Sequence, residues 1–128
     1  MSDKKRILVV DDEPDFAAIV QRNLEKEGFE VDVAYDGVEG MEKVASNPPD
    51  AIVLDVMMPE KDGYAVCAEL KKDEKYEDIP IVMLTAVAGH VGSTRYSHSD
   101  GMGMAADDYL PKPASAEEIT ESIKRLIE

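Results

Sequence analysis

Ile7-Leu8-Val9-Val10-Asp11-Asp12-Glu13-Pro14 opens on four apolar residues and closes on three acids and a proline. An unbroken apolar run of this length, rich in β-branched residues, reads as a strand buried on both faces, as in a parallel sheet. The same pattern returns along the chain. Ala51-Ile52-Val53-Leu54 ends in Asp55, Ile81-Val82-Met83-Leu84 ends in Thr85-Ala86, and Tyr109-Leu110 leads into Pro111-Lys112-Pro113. Four strand candidates each finish in a residue with chemistry. Ligands of open parallel sheets bind just beyond the carboxyl ends of the strands, so carboxylates, a hydroxyl and an ammonium are expected along one edge.

Between these runs lie helical patterns, which makes a βαβ alternation. Pro14 suits the first turn of a helix with Phe16, Ile19, Val20 and Leu24 on one face, stopped at Gly28. Glu30 to Tyr35 alternates as a second strand. Asp36 and Glu39 have capping-box spacing before a helix striped by Val38, Met41, Val44 and Ala45, and Asn47-Pro48-Pro49 breaks the chain after it. A third helix is expected from near Gly63 to Lys72, with Val66, Cys67 and Leu70 inward and Lys71-Lys72-Asp73-Glu74-Lys75 as a solvated end. Ser115 and Glu118 repeat the capping-box spacing before a last helix carrying Ile119, Ile123, Leu126 and Ile127. The expected fold is α/β: a doubly wound, flavodoxin-like sheet of five parallel strands in the order 2-1-3-4-5, with helices on both faces. Pro111, which lacks a backbone donor, fits the end of an edge strand.

Composition narrows the function classes. The chain has 128 residues, room for one domain. Asp and Glu outnumber Lys and Arg by 28 to 14, a net charge of −14 that disfavours nucleic acid and anionic membrane surfaces and suits a divalent cation or a basic protein patch. Cys67 is the one cysteine, so no internal disulfide forms, and its simplest role is a small core residue. With no apolar leader core and no membrane-length apolar run, the expectation is a cytoplasmic protein.

Taken together, Asp11-Asp12, Asp55 with Met57-Met58-Pro59 and Asp62-Gly63, Thr85-Ala86, and Asp107-Asp108-Tyr109-Leu110 through Lys112-Pro113 resemble the receiver domain of two-component response regulators, single-domain and similar to the chemotaxis receiver. The resemblance runs through essentially the whole chain and implies one receiver domain over residues 1–128 with no output domain. It implies phosphorelay signalling. A sensor histidine kinase or a histidine phosphotransfer protein gives up a phosphoryl group to Asp55, and a surface for an unknown downstream protein then switches. By the same resemblance Mg2+ is the cofactor, ligated by Asp12, Asp55 and the Met57 backbone carbonyl, with Asp11 acting mostly through water. Thr85 and Lys112 contact the phosphoryl group, and Thr85 and Tyr109 are the switch residues. Such a domain is no turnover enzyme; it catalyses only its own phosphorylation and dephosphorylation. Met57 and Val87 stand where receivers place residues that orient or exclude the hydrolytic water, and both are apolar, so a long-lived acyl phosphate is expected.

Competing readings are weaker. A hydrolase of the haloacid-dehalogenase type wants a second Asp two residues after the nucleophile, where this chain has Met57. A flavodoxin-like cofactor carrier wants Ser, Thr or Gly in its first loop, where Asp11-Asp12-Glu13 repel a phosphate. The alternative within the family is a degenerate receiver that acts as a phosphorylation-independent interaction module, and the full set of key residues gives no reason to prefer it. Two departures from the family pattern stand out. Ala114 occupies a position where a large aromatic is common, and the span from Thr85 to Lys112 is long, with Gly89, Gly92, Gly101 and Gly103 and little helical periodicity. A long loop or a short, mobile helix is expected there in place of a regular fourth helix, with His90 and His98 solvated.

Overall fold

The computed structural model describes residues 4–56, 63–85, 106–111 and 114–127. The expectations for Met57, Val87, residues 89–103, Lys112 and Pro113 fall outside the described residues. The element order is β1 (Arg6–Val10), α1 (Pro14–Lys26), β2 (Glu30–Ala34), α2 (Gly37–Ser46), β3 (Ala51–Asp55), α3 (Gly63–Lys72), β4 (Ile81–Thr85), β5 (Asp108–Pro111) and α4 (Ala116–Ile127). The five strands form one all-parallel sheet in the order β2-β1-β3-β4-β5, the flavodoxin-like topology expected from the sequence.

Alternation along the strands builds two cores. Ile7, Val9, Val53, Val82 and Leu84 face α1 and α4, meeting Ala17, Val20, Leu24, Ile119 and Ile123. Leu8, Val10, Ile52, Leu54, Ile81 and Met83 face α2 and α3, meeting Val44, Val66, Cys67 and Leu70. Ala114 is buried in the first core, so the small residue at this position serves packing. Across the α1–α4 contact Asn23 donates from Nδ2 to the Thr120 hydroxyl at 2.8 Å, and Lys124 pairs with Glu27 at 3.0 Å.

Several helix expectations need correction. The sequence pattern places Ile19, Val38 and Ala45 on the inward stripes, yet all three are exposed. The buried face of α1 runs through Ala17, Val20 and Leu24, and that of α2 through Gly37, Gly40 and Val44. Gly40 takes its place because α2 lies close on the sheet there: a Cβ on Gly40 would sit 3.1 Å from a Val10 methyl. The capping box of α2 forms in a shifted version. Asp36 accepts from the Glu39 N–H, but the Glu39 carboxylate reaches back to the N–H of Tyr35. At α4 both halves close, with Ser115 Oγ accepting from Glu118 N–H and Glu118 accepting from Ser115 N–H.

Gly28 ends α1 with φ +97°, and open space surrounds the position of a Cβ there. Gly28→Ala therefore carries a purely torsional penalty. A loss of about 1 kcal/mol is expected in urea unfolding, with the m-value unchanged.

Candidate functional site

The carboxyl edge of the sheet gathers the acids, and the hydrogen-bond register explains how. Asp11 follows β1, and its N–H donates to the Ala34 carbonyl at 3.0 Å. This continues the β1–β2 ladder one residue past the strand and turns the chain so that Asp12 and Glu13 lead into α1. Asp11 is buried, and its Oδ1 accepts from the Glu13 N–H at 2.9 Å, an Asx-type turn that fixes the carboxylate. Asp55 is the last residue of β3 and is 1% exposed. Its backbone is held in the sheet centre, opposite Leu84 of β4, and the next N–H, of Val56, donates to the Leu84 carbonyl at 3.0 Å. Asp12 is exposed.

One carboxylate oxygen from each of Asp11, Asp12 and Asp55 can be chosen so that all three lie within 4.8 Å of one another. At that separation, two like charges in an effective dielectric near 20 repel by about 3 kcal/mol, a repulsion that a cation between them would offset. The donor set is all oxygen, with no His or Cys in the group. That chemistry fits a hard divalent ion such as Mg2+ and not a soft transition metal.

Thr85 closes β4, the strand beside Asp55, and is paired in register with Pro111 of β5. The three acids and Thr85 thus share one edge, and Lys112 follows Pro111 in the sequence. Tyr109 lies two residues before Pro111, paired with Met83, half-buried against the α2–α3 core. Its hydroxyl accepts from the Ala106 N–H at 3.1 Å, and burial pushes its pKa up, keeping the phenol neutral. Cys67, buried behind it, has its thiol pushed up to about 11 by burial, so it is a core group and not a nucleophile at neutral pH.

Two acids that the sequence reading gave no separate role prove structural. Asp107 Oδ2 accepts from Lys71 Nζ at 3.1 Å and from the Ile81 N–H at 2.9 Å, while Lys71 also donates to the carbonyls of Glu77 and Ile79. Lys71 is therefore an anchored residue and not part of a solvated end. Asp108 accepts from the Ser122 hydroxyl and, at 3.2 Å, from Arg125, which docks β5 on α4.

Comparison with known proteins agrees with this arrangement. The model of the response regulator receiver domain matches residues 7–124. The "Response regulator MprA" of Mycobacterium ulcerans is 44% identical over 95% of this chain and 50% of its own length. The "DNA-binding dual master transcriptional regulator RpaA" of Synechocystis is 40% identical over 95% of this chain and 48% of its own length. The chain thus spans about half the length of these curated relatives. Among solved structures, the response regulator protein TrrA from Thermotoga maritima in complex with Mg(2+)-BeF superposes with a TM-score of 0.79 at 38% identity, covering 95% of this chain and 98% of that one. With a family match over nearly its whole length, a receiver sheet and an acid cluster at the expected strand ends, the chain belongs to the response regulator receiver domain family.

Proposed function

We propose that this domain accepts a phosphoryl group on Asp55 in a Mg2+-dependent reaction, from a phosphohistidine on a sensor histidine kinase or a histidine phosphotransfer protein. The carrying observation is the convergence of Asp11, Asp12 and Asp55, two of them buried, at the edge where β4 delivers Thr85. Asp12 and Asp55 would hold the ion directly, together with the Met57 carbonyl, with Asp11 acting mostly through water. When bound, Mg2+ supplies neutralising charge to a group whose oxygens are all anionic.

Asp55 is the nucleophile. A carboxylate oxygen forms the new bond to phosphorus as the P–N bond to the donor histidine breaks, and the departing imidazole takes up a proton. The Asx turn at Asp11 keeps its carboxylate aimed while Asp12 stays at the solvent side, where an ion enters. Thr85 donates its hydroxyl to a phosphoryl oxygen, and the Lys112 ammonium pairs with another. Tyr109 reports the change towards a protein partner. The charge of −14 supports protein over nucleic acid as the direct contact of this segment. Among the described residues no helix is long and apolar enough to cross a membrane, and a cytoplasmic location fits the reading.

The test is intact-mass measurement after incubation with phosphoramidate, whose P–N bond mimics phosphohistidine. One phosphoryl group is expected with Mg2+ and none with EDTA. Mg2+ alone is expected to raise the melting temperature, since ligand at tenfold its Kd adds about 1.4 kcal/mol, and Asp12→Ala should shift that response to higher Mg2+. Labelling that persists in EDTA, or melting indifferent to Mg2+, counts against the reading.

A further inference from the structure

Gly63, the first residue of α3, sits directly on the backbone that carries Asp55. Its N–H donates to the Val56 carbonyl at 3.0 Å, which ties the start of α3 to the end of β3. A Cβ built on Gly63 would lie 2.8 Å from Val56 Cα and 2.9 Å from the Asp55 carbonyl carbon, and closer still to the Asp55 carbonyl oxygen. All three are backbone atoms, which cannot swing aside as a side chain does. The contrast with Gly40 is informative, since a Cβ there meets the methyls of Val10, a side chain. What the position requires is the absence of a side chain.

Neither neighbour of this contact yields easily. Asp55 and Val56 are fixed on one side by β4, through the Asp55–Leu84 register and the Val56 N–H to Leu84 bond. On the other side α3 is anchored by buried Val66, Cys67 and Leu70. A methyl at position 63 must therefore displace either the helix or the strand end. The strand end carries the acceptor carboxylate and leads into Met57, whose carbonyl the proposed function assigns to the ion.

We infer that Gly63 is a positioning residue for phosphoryl acceptance: by bringing α3 onto the Asp55–Val56 backbone without a side chain, it sets where the Asp55 carboxylate stands relative to Asp11 and Asp12. The inference rests on the reading of Asp55 as the acceptor. Displacement of a reacting group by about 1 Å costs up to on the order of a hundredfold in rate. Gly63→Ala is thus expected to weaken Mg2+ binding and to slow phosphorylation by phosphoramidate by about tenfold or more, per folded molecule.

The experiment compares the full chain as wild type, Gly63→Ala and Ile123→Val, the last a core change on the opposite face of the sheet. Melting temperature, Mg2+ affinity by titration and the rate of mass gain are measured for each. Ile123→Val is expected to melt lower with Mg2+ affinity and rate unchanged, whereas Gly63→Ala changes all three. If Gly63→Ala melts lower but keeps wild-type Mg2+ affinity and rate, the glycine serves packing alone and the inference is overturned. If wild type gains no phosphoryl mass, the proposed function fails instead, and the two failures are distinct. Should Gly63→Ala not fold, the wild-type Gly63 amide decides. Its NMR shift is expected to move during Mg2+ titration with the same midpoint as the Asp12 amide, and a Gly63 signal unchanged at saturation overturns the inference.

Discussion

Asp55→Asn is expected to abolish phosphoryl incorporation while leaving the fold intact. The side chain is 1% exposed at the end of the central strand, and Asn matches its shape closely enough to keep the strand-end geometry. An amide has no anionic oxygen to attack phosphorus, so loss of the nucleophile is complete and not partial. The same change has a second effect of opposite sign. It removes one of three charges whose oxygens lie within 4.8 Å, so without Mg2+ the variant should be more stable than wild type, by about 1 kcal/mol, because a buried like-charge contact has been relieved. With Mg2+ the order should reverse or close, since the ion has lost a ligand. Intact mass after phosphoramidate treatment and melting curves at zero and saturating Mg2+ check both parts. Full labelling of Asp55→Asn would move the acceptor elsewhere, and an unchanged apo melting temperature would mean that the acids do not strain the empty site.

The parts of this molecule that were legible in the sequence are those fixed by local pattern. Parallel strands buried on both faces read as unbroken apolar runs, so Ile7–Val10, Ala51–Leu54 and Ile81–Leu84 announced themselves, and the residues that follow them marked the candidate site's edge. Asp11, Asp12 and Asp55 meet because each lies one or two steps past such a run. What local pattern left open depends on the approach of distant segments. Ile19 and Ala17 both lie on plausible faces of α1, and packing against the sheet buries Ala17 with Val20 and Leu24 and leaves Ile19 exposed. Nothing within Lys71-Lys72-Asp73-Glu74-Lys75 shows which lysine turns back, because its partner carboxylate is Asp107, supplied from the far end of the neighbouring strand pair. Asp62-Gly63 was visible as a motif, yet the reason for the glycine is a backbone contact with β3 that no spacing rule contains.

Asp107→Ala is expected to cause the largest stability loss outside the two cores, and the reason lies in a single oxygen. Asp107 Oδ2 accepts both the Ile81 N–H and the Lys71 ammonium, and the Asp107 N–H in turn donates to the Ile81 carbonyl at 2.8 Å. The carboxylate thus joins the start of β4, the approach to β5 and the end of α3. Alanine leaves the part-buried Ile81 N–H without this acceptor and leaves Lys71 with only the Glu77 and Ile79 carbonyls. The expected cost is about 2–3 kcal/mol, a fall in melting temperature of roughly 5–15 °C for a domain of this size. Asp107→Asn separates the two contributions. Its carbonyl oxygen can occupy the same place and accept from both donors, so only the charge is lost, and a half-exposed ion pair contributes at most about 1 kcal/mol. Asn should therefore recover more than half of the loss seen with Ala. Equal losses in the two variants would assign the effect to charge and not to the orphaned backbone donor. The carboxylate sits at the amino end of β4, a strand length from Thr85, so Mg2+ affinity measured well below the melting transition should match wild type in both variants.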